Sequence, residues 1–115
     1  LNVTFGTMNH INSVGAPRYW KVECSVDGKQ TWIHVGNYTV PDFVYTASLK
    51  TYQLPGTKFI TMNLPDTMLG HEKVYVRLIP ASASVGTSSS YAGGTKISTS
   101  AYNAINYFAI RYNNN

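Results

Sequence analysis

The stretch Ser25-Val26-Asp27-Gly28-Lys29-Gln30-Thr31-Trp32 joins two runs in which apolar and polar residues alternate. Alternation with a period of two is typical of β-strands that bury one face. An Asp-Gly pair is favoured in tight hairpin turns because both central residues need a positive φ, which Gly adopts freely and Asp tolerates. The stretch therefore predicts a β-hairpin with its turn at Asp27-Gly28.

The strand before this turn has the most regular alternation in the chain. Its apolar face consists of Trp20, Val22, Cys24 and Val26. We therefore expect Cys24, the single cysteine, to be a small buried apolar side chain. We predict that residues 31–38 form the antiparallel partner and end before Pro41, because proline cannot donate a hydrogen bond within a sheet.

Alternation and turn residues recur through the rest of the chain. Further strands are predicted at residues 3–5, in one or two short pieces within 43–52, and at 58–64, 73–80 and 104–112. About six to nine short strands separated by turns are typical of a sandwich or barrel. We predict an all-β fold, a single-domain antiparallel β-sandwich of the jelly-roll type over residues 1–115, closing over Trp20, Val22, Val76 and Phe108.

Composition and charge narrow the class of protein. The 115 residues are near the commonest domain size, and only 12% of them are charged. The net charge is +4, but the lysines are scattered, unlike the clustered cations of a nucleic-acid surface. We expect no nucleic-acid partner and no membrane span in this chain. Because it begins at Leu1 without a leader, we expect a piece of a longer protein with other domains.

Residues 81–103 differ from the rest of the chain because they are rich in Ser, Thr and Gly. Long connections without secondary structure are uncommon in compact domains. We expect this segment either to be a functional loop or to contain a weak strand at residues 96–99.

The residue types that carry catalysis form no recognisable constellation. Most of the five acids lie in or beside predicted turns, where carboxylates usually close loops. His10, His34 and His71 are far apart, and the chain has no zinc, nucleophile-elbow or phosphate-loop motif. We therefore expect no enzyme, no cofactor and no metal, although a calcium site using Asp42 or Asp66 stays open.

Aromatic residues are the remaining candidates for function, since the chain has nine Tyr, four Phe and two Trp. An exposed ring can stack on a sugar, while neighbouring Asn, Gln and Thr side chains hydrogen-bond to it. The alternative is that cross-strand tyrosines only stabilise the surface of a sheet. The predicted ligand-binding residues are Tyr19, Tyr75 and Tyr107 on outward faces, Tyr38, Tyr91 and Tyr102 near loops, and Arg111.

Three runs, at residues 19–32, 73–78 and 105–112, resemble the jelly-roll modules grouped as choice-of-anchor J. The shared pattern is a strand ending in Ser-x-Asp-Gly, a Trp a few residues later, a Val-x-Val-Arg strand and a last strand near the C terminus. The resemblance implies a non-catalytic β-sandwich from a secreted or surface-attached bacterial protein. Such modules often accompany enzymes or adhesins, and carbohydrate or matrix binding is suspected for them.

Residues 25–32 are also similar to the Asp-box of sialidases, Ser-x-Asp-x-Gly-x-Thr-Trp. Gly28 lies one place early, and Lys29 stands where that motif has Gly. Asp-boxes are hairpin-forming structural elements, and a single copy does not predict a sialidase propeller.

These observations predict a non-catalytic, secreted or cell-surface module for binding or adhesion, with a glycan as the first expected ligand and a surface protein as another. A structural spacer or protein-interaction domain is the alternative, favoured if the outward tyrosines are scattered instead of grouped on one concave face. A glycoside hydrolase fragment would need two carboxylates that face each other across a cleft.

Overall fold

The computed structural model describes residues 1–9, 17–41, 44–46, 48, 51–53, 56–81 and 103–112. Within these ranges the chain forms eight β-strands and a 3₁₀ turn at Asp66–Met68, with no α-helix, which confirms the all-β class. The strands are β1 Asn2–Asn9, β2 Tyr19–Ser25, β3 Ile33–Thr39, β4 Val44–Thr46, β5 Thr51–Gln53, β6 Lys58–Asn63, β7 Tyr75–Pro80 and β8 Asn103–Arg111.

Each run predicted to be a strand coincides with one, and the region 43–52 coincides with two, β4 and β5, of which β5 extends to Gln53. The first strand is longer than expected, because it continues from the predicted residues 3–5 to Asn9. Most of the Ser, Thr and Gly-rich segment, residues 82–102, lies outside the described residues, and so do its candidate strand at 96–99 and the side chains of His10 and Asp42.

The strands build two three-stranded antiparallel sheets and a two-stranded pair. The first sheet has the order β6-β1-β8, the second has the order β3-β2-β7, and β4 pairs with β5. The two larger sheets face each other in a sandwich-like arrangement. A Cβ atom added to Gly36 of β3 would lie 2.8 Å from the Met62 sulfur of β6, so these two strands are in close contact across the sandwich.

The core lies between the facing sheets and is centred on alternate residues of β1 and β2. Val3 and Phe5 from β1 and Val22 and Cys24 from β2 are fully buried. Burial raises the pKa of the Cys24 thiol, as expected for a small side chain in apolar surroundings. The period-two alternation therefore identifies these four core residues, although Glu23 and Ser25 on the other face of β2 are also buried.

Four aromatic rings form a continuous row through the core. The Trp20 ring stacks on Tyr38 at 6.2 Å, Tyr38 meets Phe5 edge-on at 5.0 Å, and Phe5 stacks on Phe108 at 6.1 Å, all measured between centroids. Edge-on and stacked pairs at such distances add to the stabilisation from burial alone. The row joins β2 and β3 of one sheet to β1 and β8 of the other.

The expectation that four particular side chains close the core is only partly correct. Val22 is fully buried, and Trp20 and Val76 pack against the core. Phe108 is 47% exposed, because β8 is the last strand of its sheet and the ring is covered mainly on its Phe5 side. The pairing of β1 with β8 also shifts register between Thr4 and Gly6, which leaves Tyr107 and Phe108 together opposite Phe5.

The close approach at Gly6 gives a stability prediction. A Cβ atom at this position would collide with the Asn106 side-chain oxygen and the Thr57 methyl group. Overpacking of this kind costs about 1 to 3 kcal/mol, so we expect Gly6→Ala to lower the free energy of unfolding in urea by that amount.

Gly36→Ala is the matched control for this prediction. Its new methyl group would meet only the flexible thioether end of Met62, which can move away. A loss at Gly36 equal to or larger than that at Gly6 would contradict the packing described for the first sheet.

Candidate functional site

The predicted hairpin joins β2 to β3, but its connection is a seven-residue loop, residues 26–32, instead of a tight turn at Asp27-Gly28. The loop is closed by side chains. The Asp27 carboxylate accepts hydrogen bonds from the Ser25 hydroxyl at 2.8 Å, from the Thr31 backbone N–H at 2.9 Å and from the Thr31 hydroxyl. The Ser25 hydroxyl in turn accepts the Lys29 N–H at 3.0 Å. The loop-closing role expected of Asp27 is therefore confirmed.

The residues with positive φ in this loop are Gly28 at 72° and Lys29 at 73°. The predicted turn centre at Asp27-Gly28 is thus displaced by one residue. Lys29 occupies the position at which the Asp-box has Gly, and it adopts the left-handed conformation that favours Gly. The hydrogen bonds around Asp27 hold the loop in this shape although a lysine stands there.

We expect Lys29→Gly to be more stable than Lys29→Ala by about 1 kcal/mol, because only Gly adopts a left-handed backbone without a Cβ penalty. Both variants remove the Lys29 ammonium group, so their difference isolates the backbone effect. Thermal or urea unfolding measures it. Equal stabilities would contradict the positive φ assigned to this residue.

The hydrogen bonds from Thr31 and then Ser25 lower the pKa of Asp27 to about 2. Because the folded pKa lies below the ordinary value of about 3.9, the stabilisation is complete above pH 4 or so and is lost as the pH falls toward about 2. A carboxyl NMR titration should give this value. In Thr31→Ala the pKa should rise further than in Ser25→Ala, and a wild-type pKa near the ordinary value would contradict the geometry.

The outer surface of the β3-β2-β7 sheet, here the Arg77 face, is defined by Glu23, Trp32, Tyr75 and Arg77. The Nε and Nη2 atoms of Arg77 lie 2.8 and 2.7 Å from one oxygen of Glu23, whose side chain is only 12% exposed. The Arg77 guanidinium also lies 3.8 Å from the centroid of the Trp32 ring. Ion pair and cation–π contact together fix Arg77 in place.

The aromatic rings on this side of the molecule each carry a cation. The Lys29 ammonium lies 4.8 Å from the centroid of Tyr75, and the Arg18 guanidinium lies 5.6 Å from that of Tyr19. A cation over the Trp32 or Tyr75 ring leaves little of that ring face free for stacking, whereas Tyr19 remains 41% exposed. The charged and aromatic side chains of the Arg77 face therefore already bind one another.

The outer surface of the β6-β1-β8 sheet, here the Phe59 face, is defined by Asn2, Thr4, Phe59, Thr61, Asn63, Tyr107 and Arg111. Phe59 and Tyr107 are 63% and 72% exposed, and their ring centroids are 6.0 Å apart with planes tilted by 35°. Phe59 pairs in register with Gly6, over which the Asn106 and Thr57 side chains lie. Two neighbouring rings are thus presented to solvent.

Polar side chains continue the Phe59 face along the strands. Thr4 and Thr61 lie opposite each other in register, and their hydroxyl oxygens share a hydrogen bond of 3.1 Å. The next row along the strands, farther from the rings, contains Asn2. It pairs with Asn63 on one side and with Arg111 on the other. The face therefore combines exposed rings with hydroxyl, amide and guanidinium groups.

The predicted ligand-binding residues do not converge on one site. Tyr19 and Tyr75 belong to the outer side of one sheet, whereas Tyr107 and Arg111 belong to the outer side of the other. Tyr91 and Tyr102 lie outside the described residues. The structure also adds Phe59 to the exposed aromatic residues. In the sequence, Phe59 shares one face of its strand with Thr61 and Asn63, but it is not one of the predicted ligand-binding residues.

The prediction of Tyr38 as an exposed ligand-binding residue near a loop is wrong. Tyr38 is 6% exposed and lies in the core row, since its register partner Trp20 belongs to the apolar face of β2. Desolvation in this position raises the pKa of its phenol far above the ordinary value. Its ring is not available to a ligand.

The described residues offer little to other kinds of site. Among them, no group of three or more His, Cys, Asp and Glu side chains could hold a metal ion. Asp27 lies in the hairpin loop, Asp66 in the 3₁₀ turn and Glu23 in its ion pair with Arg77. None of the helical segments in the described part of the chain is long and apolar enough to cross a membrane.

Comparison with known protein families, curated proteins and solved structures finds no significant match for this chain. The resemblance to the choice-of-anchor J modules therefore stays a prediction.

Proposed function

We propose that this chain is a non-catalytic binding module that takes glycans on the Phe59 face. The observation that carries the proposal is the pair formed by Phe59 and Tyr107, two adjacent and largely exposed rings on an outward sheet surface. Isolated exposed apolar residues are common on proteins, but neighbouring exposed aromatic rings mark binding surfaces more often.

The chemistry of this face suits a sugar. The axial C–H groups of a pyranose form an apolar surface that stacks on an aromatic ring, while its hydroxyls need hydrogen-bond partners around the edge. Thr4, Thr61 and Asn63 provide hydroxyl and amide groups on the same face, in rows that begin next to the rings. A strip of rings and polar groups that follows the strands favours an extended glycan that lies along them.

The Arg77 face is the poorer candidate. Its Trp32 and Tyr75 rings already bind cations of the same chain, so a stacking sugar would have to displace them. Displacing Arg77 would also break its ion pair with the largely buried Glu23 carboxylate and leave only the Lys21 ammonium, 3.9 Å away, as a partner, which is costly. We assign this face a structural role.

Strand pairing supports a jelly-roll-like arrangement as part of the proposal. In a jelly roll, a long hairpin is rolled up, so that the first strand pairs with the last, the second with the last but one, and so on inward. The pairs β1-β8, β2-β7 and β4-β5 follow this nesting, and β3 contacts β6 across the sandwich. The additional pairs β1-β6 and β2-β3 depart from it. We propose a secreted or cell-surface location on the sequence resemblance alone.

A structural spacer or protein-interaction domain is the second candidate. It is favoured by the division of the predicted tyrosines between two opposite faces, since a single concave platform was the pattern expected for a ligand site. It would use the surfaces of the sandwich for contacts with other domains and would bind no small ligand.

A glycan array tests the proposed function. We expect wild-type protein to bind at least one glycan class, and Phe59→Ala/Tyr107→Ala to lose about tenfold or more in affinity, because aromatic stacking contributes strongly at such sites. Tyr19→Ala is the matched control, since it removes an exposed ring from the opposite sheet and should leave binding unchanged.

Circular dichroism and urea unfolding should show that the double variant remains folded, because both rings are exposed. Absence of binding to every glycan by the wild type would refute the proposal and favour the spacer. Equal losses in the double variant and in Tyr19→Ala would refute the assignment to the Phe59 face.

A further inference from the structure

The Phe59 face has an uneven charge. Arg111 is exposed at one end of it, and the part of this face that the structure describes contains no carboxylate. Among the described residues, no ion pair involves Arg111. The remaining members of the face are neutral, namely Asn2, Thr4, Phe59, Thr61, Asn63 and Tyr107.

The described acids all lie elsewhere. Glu23 lies on the opposite sheet and is bound by Arg77, and Asp27 is held within the hairpin loop. Asp66 and Glu72 are exposed between β6 and β7, past the end of β6 at which Asn63 and Arg111 lie, and not on the face itself. The chain as a whole carries a net charge of +4, so the long-range field also attracts anions.

Strand register sets the distance between the rings and the charge. Phe59 pairs with Gly6, Thr61 with Thr4, and Asn63 with Asn2, which is also the partner of Arg111. The aromatic row and the arginine row are therefore four residues apart along β1, a distance of about 13 Å at the rise of an extended strand. This span exceeds one pyranose ring and requires an oligosaccharide.

We propose that the ligand of the Phe59 face is an acidic oligosaccharide that stacks on Phe59 and Tyr107 and places an anionic group, a carboxylate or a sulfate, on Arg111. The inference rests on the proposed glycan-binding function and gives it a ligand class. Thr4 and Thr61 lie between the two anchors and hydrogen-bond to the intervening sugar. The planar guanidinium suits carboxylate and sulfate because it donates two parallel hydrogen bonds.

Calorimetric titration with three probes of matched length tests this inference: an oligogalacturonate, a heparin-derived sulfated oligosaccharide and a neutral cello-oligosaccharide. At low salt we expect one of the two acidic probes to bind about tenfold more tightly than the neutral one, since hydrogen bonds to a charged group are the stronger ones. The better acidic probe identifies the source of the anionic group. Its advantage should shrink as salt is added.

Arg111→Gln should remove the preference for the acidic probe, so that acidic and neutral probes bind the variant with about equal affinity. Arg111→Lys, which keeps the charge but loses the planar fork, should retain only part of the preference. Lys73→Gln is the matched control, because it removes the same charge from an exposed residue outside the face and should have no effect.

The outcomes separate this inference from the proposed function. If neutral and acidic probes bind equally, or if Arg111→Gln and Lys73→Gln weaken acidic binding equally, the acidic ligand is refuted while glycan binding stands. If no probe binds and the glycan array is also negative, the proposed function fails and the ligand class fails with it.

Discussion

The contact between Phe5 and Tyr38 is the interaction on which the rest of the structure depends. It is the point at which the middle strand of one sheet meets the other sheet, with the two rings edge-on at 5.0 Å and both buried. Because β1 pairs with both β6 and β8, the position of Phe5 also fixes these neighbours. The Phe59 face is the reverse side of this arrangement: β1 buries Val3, Phe5 and Thr7, so the residues between them point outward.

The two outer faces differ in how their aromatic rings are covered. On the Arg77 face, cations of the same chain cover the rings, and Glu23 compensates the guanidinium in the middle. On the Phe59 face, Phe59 and Tyr107 lie against each other, and the next register row on this face, Thr4 with Thr61, is polar and uncharged. This contrast in charge and coverage, more than the number of aromatic residues, distinguishes a structural surface from a candidate binding surface.

Much of the fold could be predicted from alternation, because period-two patterning directly reports which side chains a half-buried strand conceals. It placed Val22 and Cys24 in the core, where both are fully buried. The position of Tyr38 is predicted incorrectly, because its closeness to Pro41 indicates a loop residue. The neighbouring strand on its other side instead determines that the ring is buried. The turn was displaced because the Asp27 carboxylate binds Thr31 four residues on, an interaction that dipeptide preferences do not contain. The grouping of Phe59 with Tyr107 depends on strand order, which a single sequence does not give.

Tyr107 has a φ of 54°, where residues with a side chain are uncommon, and it lies at the irregularity that leaves it and Phe108 together opposite Phe5. The inserted residue lies between Ile105, which pairs with Thr7, and Ile110, which pairs with Val3, so both isoleucines lie opposite buried residues of β1. In a strand without the irregularity, positions five residues apart would point to opposite faces. The discontinuity in the ladder thus keeps both halves of β8 in phase with the buried side of β1, while Tyr107 lies against Phe59 on the outer surface.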